Sequence, residues 1–205
     1  MRKLALSAVL ITATALLLIF AAASAAARYS QQQIIDEAQV LAEMKGLTGE
    51  QRAELISNLK AALMSPEFKE ATRFRPVSAV FVFRAGEGGI LLGYMKGEGL
   101  ISFQAERPAQ AIYLRSWSAG AQIGGSDIRG VGLVLGLNKI SDFGGDYSGP
   151  IKSATAVEEN TKTGILMTKY EPDGVRTNHQ IFMVMSSSGL SARFAAAKLT
   201  ITPGW

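Results

Sequence analysis

Cysteine is absent from the 205 residues, and histidine occurs once, at His179. The first absence excludes disulfides, thiolate metal sites, a cysteine nucleophile and a lipidated N-terminal cysteine. The second excludes a multi-histidine metal site and leaves a single imidazole for acid–base work. Charge is sparse too: 19% of the residues carry it, with a formal net charge of +4. No long basic run and no RNA-binding aromatic motif occurs, so nucleic acid is not an expected partner. Signatures of chemistry are missing in the same way. Gly86-Glu87-Gly88-Gly89 lacks the lysine and the strand–helix frame of a phosphate loop, and Ser186-Ser187-Ser188-Gly189 is not a nucleophile elbow and reads as a turn. Glu158-Glu159 and Asp36-Glu37 are neighbours in sequence, whose side chains diverge on a helix or a strand alike. The expectation is a protein with no metal, no cofactor and no catalytic residue.

What is present begins with Met1–Ala27, which reads as an export leader. Arg2 and Lys3 give the positive start and Leu4–Ala22 the apolar run. Ala23-Ser24-Ala25 or Ala25-Ala26-Ala27 supplies the small-residue cleavage site. The run is also long enough to span a membrane if it is retained. Cleavage removes two positive charges and no negative ones, lowering the net charge from +4 to +2. The expected location is periplasmic or secreted. Residues 28–205 then form one domain, long enough to bury a core.

Residues 28–74 read as helical. Ser30-Gln31-Gln32-Gln33 and Thr48-Gly49-Glu50-Gln51 have the spacing of capping boxes, and Ser65-Pro66 starts a third, short piece. Ile34, Ala38, Leu41 and Met44 recur at helical intervals, and Leu55, Ile56, Leu59, Leu63 and Met64 make a second stripe. The polar faces mix Asp36, Glu37, Glu43, Glu50 and Glu54 with Lys45, Arg52 and Lys60. A membrane-surface helix usually shows a cationic polar face, so these helices are expected to pack on the rest of the domain.

Pro76 marks a change, and residues 75–205 read as β-rich. Expected strands are Val77–Phe83, Ile90–Met95, Leu100–Gln104, Ala111–Ile123, Val131–Leu137, Ile165–Tyr170, Ile181–Ser186 and Leu190–Ile201. Turn residues separate them, among them Lys96-Gly97-Glu98-Gly99 and Pro172-Asp173-Gly174. Ser141–Val157 has weak strand character. The fold class is α+β, with N-terminal helices packed on a predominantly antiparallel sheet or partly closed barrel. Pro108–Phe143 is its organising stretch. Val131, Leu133, Leu135 and Leu137 share one face there, while Gly130, Gly132 and Gly136 leave the other bare. Glycine inside a strand marks a close approach, by another sheet, a helix or a flat apolar ligand.

From about Arg75 to Thr202 the segments resemble the SYLF family of lipid-binding domains. Ala79–Phe83 is similar to its opening strand and Gly86–Gly99 to its glycine-rich hairpin. Pro108–Tyr113 is similar to its proline-led strand, and Ala119–Gly125 carries a G-x-Q-x-G run. Val131–Phe143 resembles the following aliphatic strand and short helix. Gly144-Gly145-Asp146 and Ser187–Leu190 resemble later turns. Arg115–Ser118 and Asp127–Gly130 depart from the pattern. The resemblance implies a β-rich lipid-binding domain. The phosphoinositide and actin partners of eukaryotic relatives are not carried over, because an exported bacterial protein meets neither.

A lipid site asks for cations toward an anionic headgroup and apolar surface toward acyl chains. By position at strand ends and turns, the headgroup candidates are Arg73, Arg75, Arg84, Lys96, Arg107 and Arg115. The apolar contact candidates are Tyr94, Met95 and Trp117, the last suited either to a core or to a membrane interface. The leading expectation is a non-enzymatic envelope protein that binds phospholipid or a membrane surface. The alternative is an envelope protein–protein interaction or structural module, and a hydrolase using His179 beside a carboxylate and a serine ranks below both.

Overall fold

Among the described residues, a closed eight-stranded antiparallel barrel carries three helices on part of its outer wall. The computed structural model describes residues 29–88, 92–103, 108–119, 126–149, 164–188 and 198–205. The leader, Arg107, the G-x-Q-x-G run, Glu158-Glu159 and the expected strand starts at Ile90 and Leu190 lie outside the described residues.

The helices start where the sequence caps them. α1 (Gln31–Met44) and α2 (Gly49–Leu63) each open on a complete capping box. Ser30 Oγ accepts from the Gln33 N–H at 3.2 Å, and Gln33 Oε1 accepts from the Ser30 N–H at 2.8 Å. Thr48 and Gln51 repeat the exchange. Both satisfy amide donors that a helix start would otherwise leave orphaned. α3 (Pro66–Thr72) has Ser65 as its cap and proline in its first turn. The expected stripes are buried except at their ends. Ile34, Ala38, Leu41, Leu55, Ile56, Leu59 and Leu63 face the barrel, whereas Met44 and Met64 are exposed. Met64 is the cap that follows α2, and Leu47, just beyond α1, is buried.

The strands are β1 (Val77–Gly88), β2 (Leu92–Phe103), β3 (Gln110–Ala119), β4 (Ser126–Leu135), β5 (Gly145–Ser148), β6 (Ile165–Tyr170), β7 (Arg176–Ser188) and β8 (Lys198–Pro203). Around the barrel they run β1-β2-β3-β8-β5-β6-β7-β4, and β4 closes on β1. Lys96-Gly97-Glu98-Gly99, expected as a turn, lies inside β2. The reason is steric. A Cβ at Gly97 would sit 2.8 Å from the Arg84 carbonyl, and one at Gly99 would sit 2.5 Å from that of Val82. These glycines let β1 and β2 lie close together across a continuous ladder.

Alternation divides the strands into two cores. Val80, Val82, Val131, Leu133, Leu135, Phe182 and Val184 point outward and meet the helices. Ala79, Phe81, Phe83, Met95, Ile101, Leu114, Tyr147, Met167 and Met183 belong to the second core, which fills the barrel. The bare face of β4 is explained here. Gly132 lies opposite Phe81 and Gly130 opposite Phe83, and each phenylalanine ring occupies the space that a Cβ would need. Leu137 does not continue the outward face of β4. The strand ends at Leu135, Gly136 turns at φ 73°, and Leu137 joins the interior.

One barrel mouth is plugged. A 3-10 turn (Ile140–Asp142) leads into Phe143, whose carbonyl accepts from Tyr147 Oη at 2.6 Å. Lys169 Nζ donates to the Asp142 carbonyl at 2.5 Å. Desolvation raises the Tyr147 phenol above its ordinary range, so it remains a hydrogen-bond donor.

Candidate functional site

The headgroup candidates fall into separate places. β1 and β7 begin, and β8 ends, at one mouth of the barrel, which we call the proximal end. Arg73 and Arg75 stand there, just before β1. Arg73 is exposed with its guanidinium 5.1 Å from the centre of the Phe74 ring. Arg75 is half-buried and lays its stem near Gly136. Phe74, between them, is 78% exposed. Val175 in the β6–β7 hairpin and Trp205 beyond β8 are exposed at the same end, and so is Met64, where α2 finishes. These four are a majority of the seven large apolar side chains exposed among the described residues. Exposed apolar side chains grouped beside cations mark a contact surface.

Arg84 serves a different purpose. Its Nε and Nη2 hold the two carboxylate oxygens of Asp127 at 2.9 and 3.2 Å. The register places Glu98, Arg84, Arg129 and Ser186 in one outward row across β2, β1, β4 and β7. Lys45, the cap that follows α1, reaches Glu98 at 2.5 Å, and Ser186 donates to Glu54 of α2. The Lys45 hydrogen bond holds the Glu98 carboxyl below its ordinary range. This row ties both helices to the barrel, and Arg84 is engaged within it. Met95, expected as an apolar contact, points into the barrel and is 2% exposed. Inward parity on β2 removes it from any lipid surface.

Lys96 and Arg115 are brought side by side by the strand register. They are register partners on β2 and β3, both exposed on the outer face of the barrel. Tyr94 is half-buried two residues from Lys96, and Tyr113 is 49% exposed two residues from Arg115. Trp117 occupies the β3 position opposite Tyr94.

His179 lies partly buried on β7. Burial first, and then Lys169, push its imidazole below the ordinary value, against the opposing influence of Asp142 and Glu171. Its backbone N–H donates to Thr177 Oγ1, and its buried Nδ1 has no hydrogen-bond partner. No serine–histidine pair occurs among the described residues, nor any group of three or more His, Asp or Glu able to hold a metal.

No family model matches the chain, and no curated protein does. Among solved structures it is similar to the crystal structure of a beta-barrel-like, uncharacterized protein from Brucella abortus. The two are 19% identical, the match covers 87% of this chain and 97% of that one, and the TM-score is 0.45.

Sequence reasoning missed Phe74, Val175 and Trp205. Each lies in a short connection or terminus with no periodicity to bury it, and that was the available signal. No helix among the described residues is long and apolar enough to cross a membrane.

Proposed function

We propose that this is an exported, non-enzymatic SYLF-like protein that rests its proximal end on a phospholipid surface of the bacterial envelope. The observation that carries the reading is the grouping of exposed Phe74, Val175 and Trp205 with Arg73 and Arg75. The apolar groups enter the boundary between headgroups and chains, and the guanidinium groups pair with lipid phosphates. Binding is external, because aromatic and aliphatic side chains already fill the barrel. Neither a metal nor a cofactor takes part.

Liposome flotation of the chain from Arg28 onward tests this. Burying one large apolar side chain stabilises by about 1.5–3 kcal/mol, so Phe74→Ser is expected to weaken partitioning roughly 10- to 100-fold. A basic residue near an anionic surface contributes about 1 kcal/mol, so Arg73→Gln with Arg75→Gln costs roughly 30-fold on anionic vesicles and much less on zwitterionic ones. Absence of flotation on both vesicle types removes the proposal.

A further inference from the structure

We infer that Lys96 and Arg115 form a second binding site, on the outer barrel wall, that takes a soluble phosphate-bearing anion. Two cations directly opposite on neighbouring strands repel one another, an arrangement that costs stability unless an anion sits between them. Nearby carboxylates could relieve it, but Glu98, Asp127 and Asp146 are engaged elsewhere. Glu98 is held by Lys45. Asp127 is taken by Arg84, with Arg129 also 3.8 Å away. Asp146 pairs with Lys198 at 2.8 Å and accepts from Thr200 at 2.7 Å. Those last two contacts depress the Asp146 carboxyl, so it stays charged and committed. Lys96 and Arg115 are left facing each other, with no acidic partner among the described residues. Their chemistry suits a phosphate group: Arg115 offers a planar fork of donors and Lys96 a mobile point charge.

Position separates this pair from the lipid contact. Lys96 lies seven residues along β2 from Phe103, and Arg115 five along β3 from Gln110. At about 3.3 Å per residue and a tilt near 40°, that places the pair roughly 13–18 Å above the proximal end. Screening in physiological salt acts over about 8 Å. A surface touched by Phe74 and Trp205 is therefore too distant to occupy the site, and its ligand arrives from solvent.

Titration of the purified protein with pyrophosphate, followed by backbone amide shifts, tests the inference, with vesicle flotation run in parallel. Saturable shifts are expected at residues 95–97 and 114–116. The Lys96→Gln/Arg115→Gln variant is expected to bind at least tenfold more weakly while floating with anionic vesicles as the parent does. Arg73→Gln/Arg75→Gln is expected to do the reverse, so failure of the lipid reading and failure of this one are distinct outcomes. Lys96→Arg keeps binding, and urea unfolding confirms that each variant is folded. Shifts that do not saturate, or an affinity unchanged in the Lys96/Arg115 variant, overturn the site. Loss of flotation in that variant overturns the soluble source and assigns the pair to lipid headgroups.

Discussion

Replacing Gly132 by alanine tests the filled barrel with one methyl group. A Cβ at this position would lie 1.9 Å from Phe81 Cζ, 2.1 Å from Cε1 and 2.6 Å from Cε2. The ring has little room to withdraw. Phe81 is fully buried, Phe143 packs against it at a centroid distance of 5.6 Å, and Phe83 stands at 6.1 Å. Overpacking a close-packed core costs about 1–3 kcal/mol, and contacts this short place Gly132→Ala at the upper end, about 3 kcal/mol. For a chain of this size, that lowers the melting temperature by roughly 6–12 °C. Phe81→Leu alone leaves a small cavity and costs about 1–2 kcal/mol. Combined, the shorter side chain makes room for the methyl group, so the double variant should be at least about 1 kcal/mol more stable than the sum of its parts. Urea unfolding followed by tryptophan fluorescence reads all three. A Gly132→Ala cost below about 0.5 kcal/mol, or strict additivity, would mean that the ring does not occupy this space and would refute the packing.

Ser78→Ala should cost about 1–3 kcal/mol in the same assay, because the buried hydroxyl accepts from the Leu137 N–H and donates to the Val134 carbonyl, and its loss orphans both. An unchanged midpoint would contradict that network. His179 should make stability depend on pH. Its folded pKa lies below the unfolded value near 6.5, so the unfolded chain takes the proton first. The contribution is complete above about pH 6.5 and is lost as pH falls from there through the folded pKa. The parent should therefore lose more stability between pH 7.5 and 5.5 than His179→Gln, and equal losses would count against the desolvated imidazole. Gly136→Ala, at φ 73°, should be destabilising while Gly86→Ala, with open space around it, should be nearly neutral.

Local chemistry was the legible part of the chain. The caps at Ser30, Thr48 and Ser65 identified three helix starts because capping is a contact between residues close in sequence. Alternation from Val77 onward gave an antiparallel β-rich region, and the structure closes it fully. Closure was not legible, because β3 reaches β8 and β4 reaches β7 over long separations that no local pattern records. The glycines of Lys96–Gly99 read as a turn because turn residues and close-approach residues have the same composition. Only the facing carbonyls of β1 distinguish them. The candidate site was partly legible. Arg73 and Arg75 were found by their place at a strand start, but charge alone could not show that Arg84 belongs to Asp127. Phe74, Val175 and Trp205 became visible only when the barrel showed one end collecting them.

Tryptophan quenching by lipids brominated along their acyl chains tests the mode of binding most directly. The chain has two tryptophans, Trp205 at the proximal end and Trp117 on β3, so Trp117→Phe and Trp205→Phe isolate them in turn. On anionic vesicles, the account predicts strong quenching of Trp205 and little of Trp117. Quenching of Trp117 equal to or greater than that of Trp205 would contradict a barrel that meets lipid end-on.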